Sequence, residues 1–215
     1  MTLTVWGRKT SSNVQALMWC IGELGLDYTR HDVGHVHGGN DTPEFLAMNP
    51  NGLVPVLRDG DGPALWETGA ILRYPASRYG NESFWPADPL ARAEIDKWAE
   101  WAKINATLAF TGPIFWRVVR TAPSQQDPAA IGAAIEKFDA VLALAEAQLS
   151  RHAFLAGADF TLADIQLGHL LYRYYDIGIA RPSRPHVERY YAALAERPAY
   201  REHVMVSYEP LRVRD

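Results

Sequence analysis

Asn49-Pro50-Asn51-Gly52-Leu53-Val54-Pro55-Val56-Leu57-Arg58 reads as a turn feeding a short strand, and its flanks decide the fold. Pro55 removes a ladder donor near the start of that strand, which marks an exposed strand end. Downstream, Asp59-Gly60-Asp61-Gly62 is a hairpin turn into a second run, Ala64-Leu65-Trp66. Thr68 to Tyr79 then reads as a helix, with Pro75 predicted to kink or weaken its middle. Upstream, Leu3-Thr4-Val5-Trp6 is a strand, and Val14, Leu17, Met18, Ile21 and Leu24 recur at helical steps before a stop at Gly25. Asp27 to Val33 is a weaker strand, followed by a Gly/His-rich loop from Gly34 to Asp41 and a short helix near Glu44 to Met48. The order is β-α-β, then β-β-α.

Farther along, Ala-rich periodic stretches replace the Gly, Pro and β-branched punctuation. Asn81 to Pro89 carries two prolines and few aliphatics, as a linker would. Leu90 to Leu108 is helical, Gly112-Pro113 is expected to break or bend the run, and Ile114 to Arg120 resumes it. Asp127-Pro128 opens a long helix to Leu149, whose Ile131, Ile135, Phe138, Leu142, Ala145 and Leu149 form one buried stripe. Thr161-Leu162-Ala163-Asp164 has the pattern of a capping box for a helix from Ile165 to Tyr175. Short helices near His186 to Glu196 and Ala199 to Met205 follow. The predicted class is α/β plus all-α, with an α/β unit at 1–80, a linker at 81–89 and a helical unit at 90–215.

Composition narrows the function. The chain has 215 residues, 48% hydrophobic and 21% charged, enough to bury a sizeable core and unlike a disordered chain. A formal charge of -4 supplies no basic field for nucleic acid or an anionic membrane. A single cysteine, Cys20, excludes an intrachain disulfide framework and a multi-cysteine metal cluster; it suits a cytoplasmic location and reads as a packed core thiol. The opening Met1 to Arg8 lacks an export pattern, and no run reaches about 18 apolar residues, so neither export nor a membrane span is expected. His35 and His37 lack a third clustered ligand and read as loop residues, with no metal expected.

Three segments can carry chemistry. Thr10-Ser11-Ser12-Asn13 joins the first strand to the first helix, where free amides and the positive helix end favour an anion. One hydroxyl could simply cap the helix; three polar residues exceed that need. A sulfur anion docked there would gain from dipole, hydroxyl and amide, and its thiol would have to come from a ligand. At Val54-Pro55, a cis bond would turn the Val54 amide and carbonyl outward to pair with an extended peptide. Trp66-Glu67-Thr68-Gly69 ends a strand and opens a helix, so it either caps that helix or holds a carboxylate on the amides with Glu67 attracting an ammonium. Together these describe a pocket for a small thiol peptide.

These features resemble the cytosolic glutathione S-transferases over essentially the whole chain. The strongest carriers are Asn49 to Leu57, Glu67-Thr68-Gly69-Ala70-Ile71 and the Thr161 to Asp164 cap, while Gly7 to Gln15 looks like a serine/asparagine-type bacterial subgroup. The resemblance implies a thioredoxin-like glutathione-binding domain, a helical domain supplying the second-substrate pocket, a homodimer and glutathione as co-substrate. It places Ser11 as the hydroxyl that bonds the thiolate, with Asn13 and then Ser12 as further donors. Val54, before Pro55, would pair with the cysteinyl main chain, and Glu67 with Thr68 would hold the γ-glutamyl end. Trp98, Trp101, Asn105 and Trp116 are the candidate second-substrate residues, with Tyr208 closing the pocket and an apolar electrophile as partner. Arg117 and Arg120 are candidates for an anionic substrate or a glutathione carboxylate, with solvent as the plain alternative.

Departures from the family pattern leave rivals open. Thr68 replaces the usual serine and keeps its hydroxyl, whereas Gly52-Leu53 supplies no basic residue for the glycyl end. Neither a tyrosine at the end of the first strand nor a cysteine within Ser11 to Asn13 is present, which disfavours mixed disulfides with the protein; Asn13 also stands where the zeta isomerases keep cysteine. The alternatives are a glutathione-dependent peroxidase or disulfide reductase, a zeta-like isomerase and a non-catalytic ligandin.

Overall fold

Alternation along Leu3-Thr4-Val5-Trp6 puts Leu3 and Val5 in the core, both at most 1% exposed, and leaves Thr4 and Trp6 on the other face. In the computed structural model, which describes residues 2–215, this strand is β1 (Leu3–Trp6) and lies at the centre of a three-stranded sheet. Met1 lies outside the described residues. β2 (Tyr28–His31) pairs with β1 in parallel, Leu3 facing Tyr28, and β3 (Val56–Asp59) pairs antiparallel, Leu3 facing Asp59. The connection between the parallel pair is α1 (Ser12–Glu23). α2 (Pro43–Met48), capped by Thr42 at 3.3 Å, precedes β3, and α3 (Thr68–Tyr79) follows it, continuous through the buried Pro75.

Ala64-Leu65-Trp66 does not form the expected second strand of a hairpin. Only Leu65 bridges Leu57, exchanging bonds of 2.9 and 2.8 Å. Pro63 has no N–H to extend the ladder, and the chain turns into α3 within three residues.

The helical part begins with α4 (Pro89–Trp101), capped by Asp88 at 2.8 Å. Gly112-Pro113 does not break the run: the rod continues to Val119 through two stretches of wider π-type turns, Ala102–Thr107 and Thr111–Trp116. α5 (Pro128–Leu149) buries Phe138, Leu142, Ala145 and Leu149, with Ile131 and Ile135 at the edge of that stripe. α6 (Leu162–Asp176) is sheathed on nearly all sides, and α7 (Pro185–Ala195) and α8 (Pro198–His203) pack outside it. No helix among the described residues is long and apolar enough to cross a membrane.

The two parts share a core through α1 and α6. A Cβ on Gly168 would come within 2.9 Å of Trp19 Cζ3, so glycine permits this close approach. Trp19 Nε1 donates to Glu23 at 2.7 Å, and Arg197 clamps the same carboxylate through two bonds of 2.7 and 2.6 Å. Cys20 is fully buried in α1, where burial pushes its thiol well above the usual range; it is a core thiol.

His169 sits on α6 with no exposed surface, its Nδ1 3.0 Å from the Ile165 carbonyl. Burial, with Lys103 nearby, pushes its imidazole down to about 3. The folded protein therefore keeps His169 neutral, while the unfolded chain protonates it below about 6.5. Its stability contribution is complete above pH 6.5 and is lost as pH falls toward 3. Urea unfolding should show a loss of about 2 kcal/mol from this group between pH 7 and pH 5, and a His169→Leu variant should show a flatter slope.

Candidate thiol-binding site

Between β1 and α1 the chain makes a tight turn whose parts are tied down on every side. The Ser11 amide donates to the Arg8 carbonyl at 3.1 Å, the Ser11 carbonyl accepts from Gln15 at 2.9 Å, and Gln15 Nε2 donates to the Lys9 carbonyl at 3.0 Å. From the helical part, Arg173 reaches across and donates to the Thr10 carbonyl at 2.8 Å. Ser11 is the N-cap of α1 with extended backbone, yet its side chain makes no capping bond. The capping role open in the sequence is therefore not taken, and the hydroxyl is available beside the free amides and the positive end of α1.

Asn13 is oriented by a residue that sequence reasoning missed. Lys103, in the first π-type stretch, donates its ammonium to Asn13 Oδ1 at 3.1 Å. An ammonium can only donate, so the amide oxygen must face it and the NH2 group faces away. Burial lowers the Lys103 ammonium below its usual value, while Glu67 and Glu100 draw it back up. The contact joins residues 90 apart in sequence. Its only advance signal was a lysine in a Trp- and Ala-rich helix.

A cavity of about 210 Å³ opens on this turn, lined by Ser11, Ser12, Asn13 and Val54 from the α/β part and by Phe115 and Trp116 from the helical part. Leu53, 63% exposed, and Trp116, 49% exposed, make an apolar rim. Three arginines also line it, Arg8, Arg120 and Arg173, and none of these was assigned to the site in advance with the exception of Arg120 as a candidate contact. The second π-type stretch brings Thr111, Phe115 and Trp116 to one wall, a local widening of the kind often found at functional sites.

Val54 is presented by the Asn49 turn. Asn49 Nδ2 donates to the Leu53 carbonyl at 2.7 Å, its Oδ1 accepts from the Asn51 amide at 3.1 Å, and Gly52 adopts φ 62°. The Val54-Pro55 bond is cis, and Pro55 itself is buried behind Val54. Val54 N–H and C=O make no hydrogen bond with another described residue, so both can take an added strand.

Glu67 and Thr68 stand at the start of α3, outside the cavity lining. Glu67 is exposed and adopts φ 68°, a left-handed backbone that a non-glycine residue rarely holds and that tends to mark function. Thr68 is buried at 3% exposure. Trp98, Trp101 and Asn105 do not line the cavity. The two indoles stack edge-to-face at 5.3 Å, and Asn105 Nδ2 folds back on the Trp101 carbonyl at 3.1 Å. Tyr208 is buried behind Phe115 with its hydroxyl on Asp176 at 2.6 Å, leaving Leu211 as the C-terminal contribution to the cavity. Arg117 lies in a separate groove with Ala109 and Pro113.

Comparison with known proteins identifies the family. Residues 10–78 match the glutathione S-transferase N-terminal domain family and residues 105–198 the C-terminal domain family. Glutathione S-transferase GstB of Escherichia coli (strain K12) is 40% identical over 205 residues, spanning 95% of this chain and 98% of its own. Glutathione S-transferase 3 of Zea mays is 35% identical over 94% of this chain and 93% of its own. Among solved structures, the theta class glutathione S-transferase of Xanthomonas axonopodis pv. citri, with glutathione bound, superposes with a TM-score of 0.90 at 42% identity, covering 95% of this chain and 98% of that one. With both domain families matched and relatives aligned nearly end to end, the chain belongs to the glutathione S-transferase family.

Proposed function

We propose that the protein binds glutathione across the β1–α1 turn, Val54 and the start of α3, and presents its thiolate to an electrophile in the cavity beside Phe115 and Trp116. The observation that carries this reading is the uncommitted Ser11 hydroxyl at the N-terminus of α1, beside an Asn13 amide turned outward by Lys103. Activation is electrostatic: the hydroxyl, the amide and the helix end favour the thiolate over the thiol, and no general base is needed. The thiol proton leaves to solvent. Ser11 is the first donor, Asn13 the second and Ser12 a neighbour within the same cavity, a serine-type arrangement.

The cysteinyl main chain pairs with the free Val54 N–H and C=O next to Pro55, and the γ-glutamyl end sits at Glu67 and Thr68, its carboxylate on the first amides of α3 and its ammonium on Glu67. The apolar body of the electrophile lies against Trp116 and Phe115. In this reading residues 1–80 hold glutathione, 81–89 link, and 90–215 hold the second substrate; the enzyme is a cytoplasmic homodimer that uses no metal. Peroxide or disulfide reduction is the second reading, supported by the Asn13 donor: glutathione disulfide from a hydroperoxide, rather than a thioether from chlorodinitrobenzene, would favour it.

Calorimetric titration of glutathione into the wild type and Glu67→Ala tests the placement. The variant should bind about 1.5 to 3 kcal/mol more weakly, the scale of a hydrogen bond to a charged group. Equal affinities would move the γ-glutamyl end elsewhere.

A further inference from the structure

Arg8, Arg120 and Arg173 line the same small cavity as Ser11, and among the described residues none of them forms an ion pair with a carboxylate. Arg73, Arg184 and Arg197 each sit on an acid, and the chain as a whole carries -4. Unbalanced cations gathered in one confined space are costly unless an anion joins them.

The groups are held rather than splayed into solvent. Arg173 is 3% exposed, pinned to the Thr10 carbonyl and stacked over the Phe115 ring at 4.5 Å. Arg120 lies over the Trp116 ring at 5.2 Å. Arg8 runs beside Gly34, where a Cβ would meet its Nη1 at 3.1 Å. The Nε atoms of Arg8 and Arg173 and the Thr111 hydroxyl are buried without a partner among the described residues. Burial lowers the Arg8 guanidinium below its usual range, with Arg120 adding repulsion. Arg173 is pushed down to about 10 by burial, then by Arg8, with Tyr208 and Tyr172 drawing it up and Arg120 lowering it further. The same pair, after burial, holds the His35 imidazole below its usual value.

We infer that the electrophile carries a carboxylate on its apolar body, and that Arg8, Arg120 and Arg173 hold this group while the thiolate at Ser11 attacks. The inference rests on the transferase reading above and names the substrate class of that site. Planar guanidinium groups match a carboxylate through paired bonds, and stacking on Phe115 and Trp116 fixes their planes in advance. The γ-glutamyl end of glutathione is assigned to the start of α3, outside this lining, and leaves the arginines to the second substrate.

The test uses a matched pair, 4-chloro-3,5-dinitrobenzoate and its methyl ester, with saturating glutathione. In both, the sulfur bonds the ring carbon, the carbon–chlorine bond breaks, and chloride leaves with the electron pair. Each kcat/KM is divided by the uncatalysed rate constant of the same probe. The acid-to-ester ratio should exceed about 10 in the wild type and fall about 10- to 100-fold in Arg120→Leu and Arg8→Leu, the scale for losing a hydrogen-bonded charge pair. Arg120→Lys should restore part of it. A wild-type ratio at or below one, or a ratio insensitive to both variants, overturns the inference while leaving the transferase reading intact. Weaker glutathione binding in the variants at constant ratio would assign the arginines to the glycyl carboxylate and also overturn it. Turnover of neither probe would overturn the transferase reading itself.

Discussion

Ser11→Ala is expected to lower kcat/KM for conjugation by about 10- to 1000-fold, the range for removing one donor aimed at developing or bound negative charge. Three features of the fold make the effect large. The hydroxyl is not spent on capping α1, the Arg8, Gln15 and Thr10 contacts hold the turn rigid, and Ser11 lines the cavity at the positive end of α1. Glutathione affinity should fall little, because the peptide keeps its proposed contacts at Val54 and the start of α3. The split is diagnostic: kcat falls and the bound thiol titrates at higher pH, whereas loss of a merely structural residue would weaken binding and stability together. If rates are unchanged, the thiolate donor is Asn13 or Ser12, and Asn13→Ala should then show the loss.

Asp164→Ala should cost about 3 to 5 kcal/mol of stability. Asp164 has no exposed surface and accepts from the Leu155 amide at 2.8 Å, the Thr161 amide at 2.7 Å, the Thr161 hydroxyl at 3.2 Å and the Tyr190 hydroxyl at 2.9 Å. Alanine would leave those buried donors without an acceptor, each worth about 1 to 3 kcal/mol when unsatisfied. Because these donors come from the loop before α6, from its cap and from α7, the loss loosens the core of the helical part. Thr161→Ala, which removes only the cap hydroxyl, should cost about 1 kcal/mol. The urea midpoints of the two variants measure the difference; equal shifts would mean that the cap, not the buried network, carries the effect.

What the sequence makes legible is local. Alternation in Leu3 to Trp6, the apolar steps of α1, the Asn49 turn and the Thr161 to Asp164 box each act within a few residues, and each takes its expected form. Elements that depend on the partner did not follow from pattern. Leu65 forms one bridge in place of a strand because Pro63 and the nearby start of α3 leave no room for a ladder. Gly112-Pro113 reads as a break or a bend, and the run instead continues through it in a π-type stretch. At the site, the turn and Trp116 were readable, whereas Lys103 and Arg173 act on residues 90 and 163 positions away and carry no spacing signal. Trp98 and Trp101 share a helix face as their spacing implies, yet they stack on one another instead of facing the cavity.

The central claim is that this turn makes a thiolate out of a bound thiol. Titrating the ultraviolet absorbance of the protein–glutathione complex against pH measures that directly. The account predicts a midpoint well below the value of about 8.5 for an ordinary thiol, moving back toward it in Ser11→Ala. Tight binding with an unshifted midpoint in the wild type would contradict it, leaving a protein that holds the peptide without activating it.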